Sequence, residues 1–199
     1  MNKYEILPEG NFKMQNIEIR RPRTEDMEEL HKFFRIVLID TFAREGLGDM
    51  VDMIENEIED KKKYLKSDLD SNGEEVYFLI ALDDDKIIGS IEYGSSSELI
   101  NRCTDGALKD LVEIGTVFVR PDYQRRGIGN LLLNVMYLTL QNRGIEEFCL
   151  DSGYNNAQKI WKKKFGEPDY LLKNYWSQDN DHMIWRRRIK DISVAFRIV

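Results

Sequence analysis

Hydrophobic and polar positions divide this chain into short segments with distinct periods. Ile17 and Ile19 alternate with polar neighbours over Asn16 to Arg20, which predicts a first strand. Thr24 then precedes Glu25, Asp26 and Met27, an acidic first turn of the kind that opens a helix. Met27, Leu30, Phe33, Phe34, Val37 and Leu38 follow at helical spacing until Gly46 and Gly48 interrupt it. A second, amphipathic helix is predicted over about 50–66, with Met50, Met53, Ile54 and Ile58 inside and Glu55, Glu57, Glu59, Asp60 and Lys61 to Lys63 outside.

Val76 to Leu82 and Ile87 to Tyr93 are apolar runs on either side of Asp83-Asp84-Asp85-Lys86, a hairpin pattern. Residues 94–109 are polar and read as an irregular connection, and Leu111 to Val119 reads as a strongly apolar strand. Gly127 to Asn142 carries Ile128, Leu131, Leu132, Val135 and Leu138 on one helical face and is stopped by Gly144. Phe148 to Leu150 reads as a short strand, Asn156 to Phe165 as a helix ended by Gly166 and Pro168, and Tyr170 to Tyr175 with His182 to Ile189 as a closing strand pair. Ile192 to Ile198 alternates like a strand, open between an edge strand, a dimer contact and a mobile tail. The order β-α-α-β-β-β-α-β-α-β-β predicts an α/β chain, a mixed sheet with flanking helices. No linker or repeat breaks it, so one domain is expected over 16–189, with an N-terminal extension (1–15) and a C-terminal tail or extra strand (190–199).

Composition narrows the function classes. With 42% hydrophobic residues among 199, a core that hides about 70% of the unfolded surface is within reach. A net charge of −7 argues against nucleic acid or an anionic membrane as partner. No apolar run approaches the roughly 20 residues of a membrane helix, and the first residues lack the apolar core of a secretory signal. A cytoplasmic protein is expected. Cys103 and Cys149 are too few for a disulfide framework, and His31 and His182 lack metal-ligand spacing, so no metal is expected. Cys149 reads as a small core residue and Cys103 as a free thiol. The net charge hides an asymmetry: residues 1–100 carry 13 Lys/Arg against 24 Asp/Glu, and residues 101–199 carry 16 against 12.

The candidate chemistry lies in the second half. Val117-Phe118-Val119-Arg120-Pro121 ends a strand at a residue with no N–H for a ladder. A basic loop and a helix start follow: Gln124-Arg125-Arg126-Gly127-Ile128-Gly129-Asn130. Backbone N–H groups at a helix start carry partial positive charge, the glycines let an anion approach, and the arginines add formal charge. Physically this is a cradle for a phosphate or pyrophosphate. A dinucleotide fingerprint is excluded because Leu132 stands at its third glycine, and a P-loop because Gly-Lys-Ser/Thr is missing.

Gln124-Arg125-Arg126-Gly127-Ile128-Gly129 resembles the Gln/Arg-x-x-Gly-x-Gly/Ala signature of the GNAT superfamily of N-acetyltransferases, and the element order resembles that family from about Ile17 to Ile189. The resemblance implies a central mixed, mostly antiparallel sheet of about seven strands. About four helices would flank it, and it would splay between the fourth and fifth strands. It implies acetyl-CoA as acyl donor, its pyrophosphate on the N–H groups of residues 125–130 and its pantetheine arm along Phe118 and Val119, with the Val119 N–H as oxyanion donor. It implies direct attack by an amine, a small-molecule amine first and a peptide amine second, and allows a homodimer. Glu113 matches one position of the family's base, with Asp110 nearby, while other relatives carry that carboxylate where Gly115 stands here.

Asn155-Asn156-Ala157-Gln158-Lys159-Ile160-Trp161 resembles the family's Asn-x-x-Ala-x-x-x-Tyr helix with two departures. Tyr154 stands three before Ala157, and Trp161 replaces the acid Tyr; an indole N–H is no acid near neutral pH. Tyr154, Tyr170 or Tyr175 would then supply the proton, or the thiolate leaves unaided. Asn155 or Asn156 would bond the pantetheine amides, and Trp161 would pack on the pantetheine or the core. Lys162 to Lys164 read as a solvated face or as partners of the CoA phosphates, and His182 as a structural histidine or a base. Three functions stay open: an acetyltransferase, a CoA-binding module with little or no turnover, and a nucleotide-binding regulator. In the first, the acidic half would supply the acceptor side and the basic half the cofactor side.

Overall fold

The computed structural model describes residues 16–196. Strand β1 (Ile17–Arg20) is followed by a 3₁₀ turn (Thr24–Asp26) and helix α1 (Met27–Arg44). The Asp26 carboxylate accepts the Arg23 N–H at 2.7 Å and pairs with Arg20 at 2.6 Å, which ties the helix start to the strand before it. Leu30, Phe33, Phe34, Val37, Leu38 and Phe42 form the buried stripe of α1. Helix α2 (Val51–Asp70) runs four residues past its predicted end. Asp68 holds it there: the buried carboxylate accepts the Phe78 N–H at 2.9 Å and pairs with Arg21 at 3.1 Å. Both contacts are tertiary, so hydrophobic periodicity could not reveal them.

The hairpin forms as β2 (Tyr77–Asp83) and β3 (Lys86–Ser95). Within the polar stretch 94–109, expected to be irregular, lies a short helix α3 (Glu98–Cys103), capped by the Ser97 hydroxyl; only Ile100 of it is buried, too little for a periodic signal. Strand β4 (Val112–Val119), helix α4 (Ile128–Asn142), β5 (Glu147–Ser152), helix α5 (Asn155–Phe165), β6 (Tyr170–Ser177) and β7 (Asn180–Arg188) complete the order. The flanking helices therefore number five among the described residues rather than about four.

The sheet order is β1-β2-β3-β4-β5-β7-β6. Every pairing is antiparallel except β4 with β5, which are parallel at only two positions, Val112↔Phe148 and Glu113↔Cys149. Beyond Glu113 the two strands diverge, so the splay lies between the fourth and fifth strands as expected. A bulge sharpens it: Glu92 faces Gly115 and Ser90 faces Phe118, leaving one extra residue on β4. Thr116 carries the strain with φ +48°, and its carbonyl accepts the buried Ser90 hydroxyl at 3.0 Å.

Helices α1 and α2 cover one face over Phe78, Ile80, Leu82 and Ile87, while α4 and α5 cover the other over Ile91, Phe148, Leu150 and Trp185. Among the described residues, no helix is long and apolar enough to cross a membrane. The alternating stretch after Lys190 is not a strand over its described part. A 3₁₀ turn (Ile189–Asp191) leads to residues 192–196, whose Ile192 and Val194 lie on the α4 core and whose Ala195 carbonyl accepts Asn134 Nδ2 at 2.8 Å. Alternation there reflects one side resting on a helix, not a ladder. The proposed extension 1–15 and residues 197–199 fall outside the described residues.

Candidate active site

The divergence of β4 and β5 opens a slot that continues between α4 and α5 as a cleft of about 1800 Å³. Its wall at the sheet is the open edge of β4. The Arg120 N–H bonds to Ile88 O of β3 at 2.9 Å, so by strand alternation the Val119 N–H points the other way, into the slot. The Val119 carbonyl, on the same edge, accepts Gln124 Nε2 at 3.2 Å, and Gln124 Oε1 accepts Arg44 Nη1 at 2.8 Å. Gln124 thus clamps the loop that follows β4 onto both the strand and α1.

That loop is built to present backbone. Arg125 takes φ +61° and Gly127 φ +89°, both left-handed, so the N–H groups before α4 form a concave array at the positive end of the helix dipole. At Gly127 only glycine adopts this conformation without strain. At Gly129 a Cβ would meet nothing closer than Val119 Cγ2 at 3.6 Å, so internal packing does not demand glycine; the bare backbone faces the cleft. Gln124, Arg125, Gly127, Ile128, Gly129 and Asn130 all line the cleft. Arg126 instead lies over the Tyr123 ring at 4.9 Å, with Lys86 at 4.8 Å from the same ring.

The opposite wall is α5. Glu45, just past α1, accepts the Asn155 and Asn156 N–H groups at 3.0 and 2.9 Å and caps α5. Asn156 and Trp161 line the cleft, whereas the Asn155 amide turns to Asn180 of β7 at 3.2 Å. Trp161, 9% exposed, stacks on Phe165 with ring centres 5.8 Å apart. Lys163 and Lys164 line the cleft, while Lys162 pairs with Glu167 at 3.2 Å.

The α2-facing side of the slot holds titratable groups. Glu113 of β4 accepts the Ser97 N–H at 2.7 Å. Burial, with the nearby Asp151 carboxylate, drives its carboxyl well above the ordinary range. Glu92 of β3 is 6% exposed and accepts the Thr116 hydroxyl at 3.1 Å; burial pushes it up to about 7 against the pull of the Lys61 ammonium. His182 is buried; its Nδ1 accepts Trp176 Nε1 at 3.3 Å, and its Nε2 lies 3.1 Å from Asp151 Oδ2, off the hydrogen-bond line. Tyr154 lines the cleft, its hydroxyl donates to Glu57, and burial beside that carboxylate raises its pKa far above the ordinary phenol. Tyr175 lies on β6, accepts Arg102 Nη2 at 3.0 Å and does not line the cleft. Cys149 is core, its thiol pushed up to about 12 by burial.

Of the residues singled out from the sequence, the structure gathers Val119, Asn156, Trp161 and the loop Gln124 to Asn130 except Arg126 along the cleft; Glu45 joins them there, and Glu92 and Lys61, which no motif marked, lie near Glu113. Glu92 sat in plain view as the one carboxylate inside an apolar strand, Ile87 to Tyr93.

A raised carboxyl favours its neutral form in the fold. The stability Glu113 lends is present at acid pH and lost as pH rises through and above the ordinary carboxylate range. Glu113→Gln keeps the acceptor for Ser97 and removes the ionisation. It should raise the melting temperature at about pH 8 and leave it nearly unchanged at about pH 4. Thermal denaturation at the two pH values checks this, and equal shifts at both would refute it.

The model of the acetyltransferase (GNAT) family matches residues 36–166, and the chain belongs to that family. It is by class an acetyltransferase. No curated protein matches the sequence. Solved structures share the fold at low identity. One is the PaiA N-acetyltransferase of Thermoplasma acidophilum in complex with coenzyme A (21% identity, 86% of this chain and 99% of that one, TM-score 0.61). Another is the ribosomal-protein-alanine N-acetyltransferase of Brucella melitensis (19%, 86% and 99%, 0.62). A third is yncA of Salmonella typhimurium with acetyl-CoA (13%, 92% and 99%, 0.61).

Proposed function

We propose that this protein transfers the acetyl group of acetyl-CoA to a primary amine of a small cationic molecule, by direct attack within a ternary complex. The observation that carries the reading is the continuity of the slot. The Val119 N–H faces it beside the sheet, and the bare backbone at Gly127 and Gly129 faces the cleft it opens into.

The N–H groups of residues 125–130 would hold the pyrophosphate, and the open edge at Phe118 and Val119 would pair with the pantetheine arm. Asn156 and Trp161 would line its other side. When bound, acetyl-CoA supplies an activated acyl carbon, and the Val119 N–H donates to the oxygen that gains charge there. The carboxylates Glu57 and Glu92 lie on the α2 side, in the acidic half of the chain, and favour a cationic acceptor. A panel of 1,4-diaminobutane, histamine and an alanine-terminated tripeptide, read by thiol release, tests the reading. The diamine is expected to turn over best, with a KM that rises with salt. Preference for the tripeptide, or a KM indifferent to salt, would count against a small cationic acceptor.

A second reading, a CoA-binding module with little or no turnover, draws on Trp161 in place of the family's acid Tyr and on the engagement of the Tyr154 hydroxyl with Glu57. Calorimetric CoA binding without thiol release from any amine would favour it.

A further inference from the structure

Amine attack needs a group that removes a proton from the ammonium, and two glutamates face the acceptor side of β4. Glu113 sits where β4 still pairs with β5, opposite Cys149. Its Oε2 is occupied by the Ser97 N–H at the entrance to α3, and Asp151 opposes its ionisation.

Glu92 differs on each count. It lies opposite Gly115, two residues nearer Val119 and past the last β4–β5 pair. The one hydrogen bond the described residues give it comes from the Thr116 hydroxyl, turned toward it by the left-handed residue of the bulge. A Cβ at residue 115 would stand 2.4 Å from Glu92 Oε1, so a carboxylate from β3 occupies the space of an absent β4 side chain. Lys61 of α2 reaches over the same site, its Nζ 6.0 Å from the Phe118 ring and 5.3 Å from the Tyr64 ring. A glycine, a bulge and a lysine thus converge on one carboxylate at the open part of the strand.

We infer, resting on the acetyl-transfer reading, that Glu92 is the catalytic base, brought across from β3 into the space beside Gly115 and countered by Lys61. The acceptor ammonium gives one proton to the Glu92 carboxylate. Its nitrogen lone pair then forms the C–N bond at the thioester carbon, the C–S bond breaks with its electron pair on sulfur, and the second nitrogen proton leaves with the thiolate as thiol. Glu92 returns its proton to solvent. The charged or titratable groups facing Glu92 are Lys61 and Tyr64 from α2 and Glu113 from β4; β2 presents Phe78 opposite it. Burial sets the Glu92 carboxyl at about 7, so activity should fall as pH drops through that value.

With 1,4-diaminobutane as acceptor, Glu92→Gln is expected to lower kcat by about 100-fold or more with CoA affinity unchanged, and by at least about tenfold more than Glu113→Gln does. Lys61→Met should move the acid limb of kcat/KM to higher pH, because the opposing cation is gone. In Glu92→Ala/Gly115→Asp, the new carboxylate oxygens reach the place of Glu92 Oε1, so turnover should recover at least about tenfold over Glu92→Ala. A purely structural Glu92 would show neither the shifted limb nor the recovery. Wild-type turnover with Glu92→Gln nearly as active overturns the assignment alone. Should Glu92→Gln fold poorly, an unmoved limb in Lys61→Met together with no recovery in the double variant overturns it instead. Absence of thiol release by the wild type with every amine overturns the transferase reading and the base with it.

Discussion

Gly127→Glu is expected to weaken coenzyme A binding by about 100-fold or more while the protein stays folded. Gly127 holds φ +89° immediately before α4, and a Cβ there meets no atom within 4 Å, so the side chain itself is sterically free. The cost to the fold is the left-handed backbone, on the order of 1–2 kcal/mol. The cost to binding is larger. A carboxylate would stand at the mouth of the N–H array, and like charges brought together cost several kcal/mol, where each ~1.4 kcal/mol is a factor of ten in affinity. Calorimetry with CoA measures it, with Gly127→Ala separating backbone strain from charge. Gly129→Ala adds a control: its Cβ reaches only Val119 Cγ2 at 3.6 Å, so lost affinity with unchanged stability would report a ligand approaching the backbone. If Gly127→Glu binds CoA like the wild type, the anion cradle is not where CoA binds, and the proposed donor site fails with it.

Trp185→Ala should cost about 3–5 kcal/mol of stability, a fall in Tm on the order of 10 °C. Trp185 is fully buried at the centre of β7, the strand between β5 and β6, and faces Leu150 across the ladder. Its Nε1 donates to the Gly166 carbonyl at 3.0 Å, where α5 ends in a left-handed glycine. The truncation therefore leaves a cavity and frees the end of a helix that walls the cleft, so CoA affinity should fall as well. Trp185→Phe keeps most of the volume and loses the donor, and should cost about 1 kcal/mol. Denaturant unfolding compares the two. Equal losses would mean that the hydrogen bond, not the packing, dominates.

Most elements were legible because each rests on local physics. The stripe from Leu30 to Phe42 has helical spacing, the Asp83-Asp84-Asp85-Lys86 turn separates two apolar runs, and Gly144 and Gly166 stop their helices at left-handed positions. The misses share another cause. The last turn of α2 depends on Asp68 meeting Phe78 and Arg21, α3 buries a single side chain, and the segment after Lys190 alternates because it rests on α4. Each is decided by a neighbour distant in sequence.

The site divides along the same line. The order strand, proline, basic loop, Gly-x-Gly and helix was enough by itself to place a left-handed turn and a bare helix start before α4, because left-handed φ and a helix dipole are properties of a few consecutive residues. It was enough also to bring the end of β4 to that turn. The meeting of Glu92 with Gly115 was not contained in any short segment. Glu92 and Gly115 stand 23 positions apart in the chain and face each other through a cross-strand register that a one-residue bulge shifts. Lys61 arrives from a helix on the covering layer. A motif records residues that act through their own backbone, whereas a carboxylate borrowed from the next strand exists only once the strands have paired.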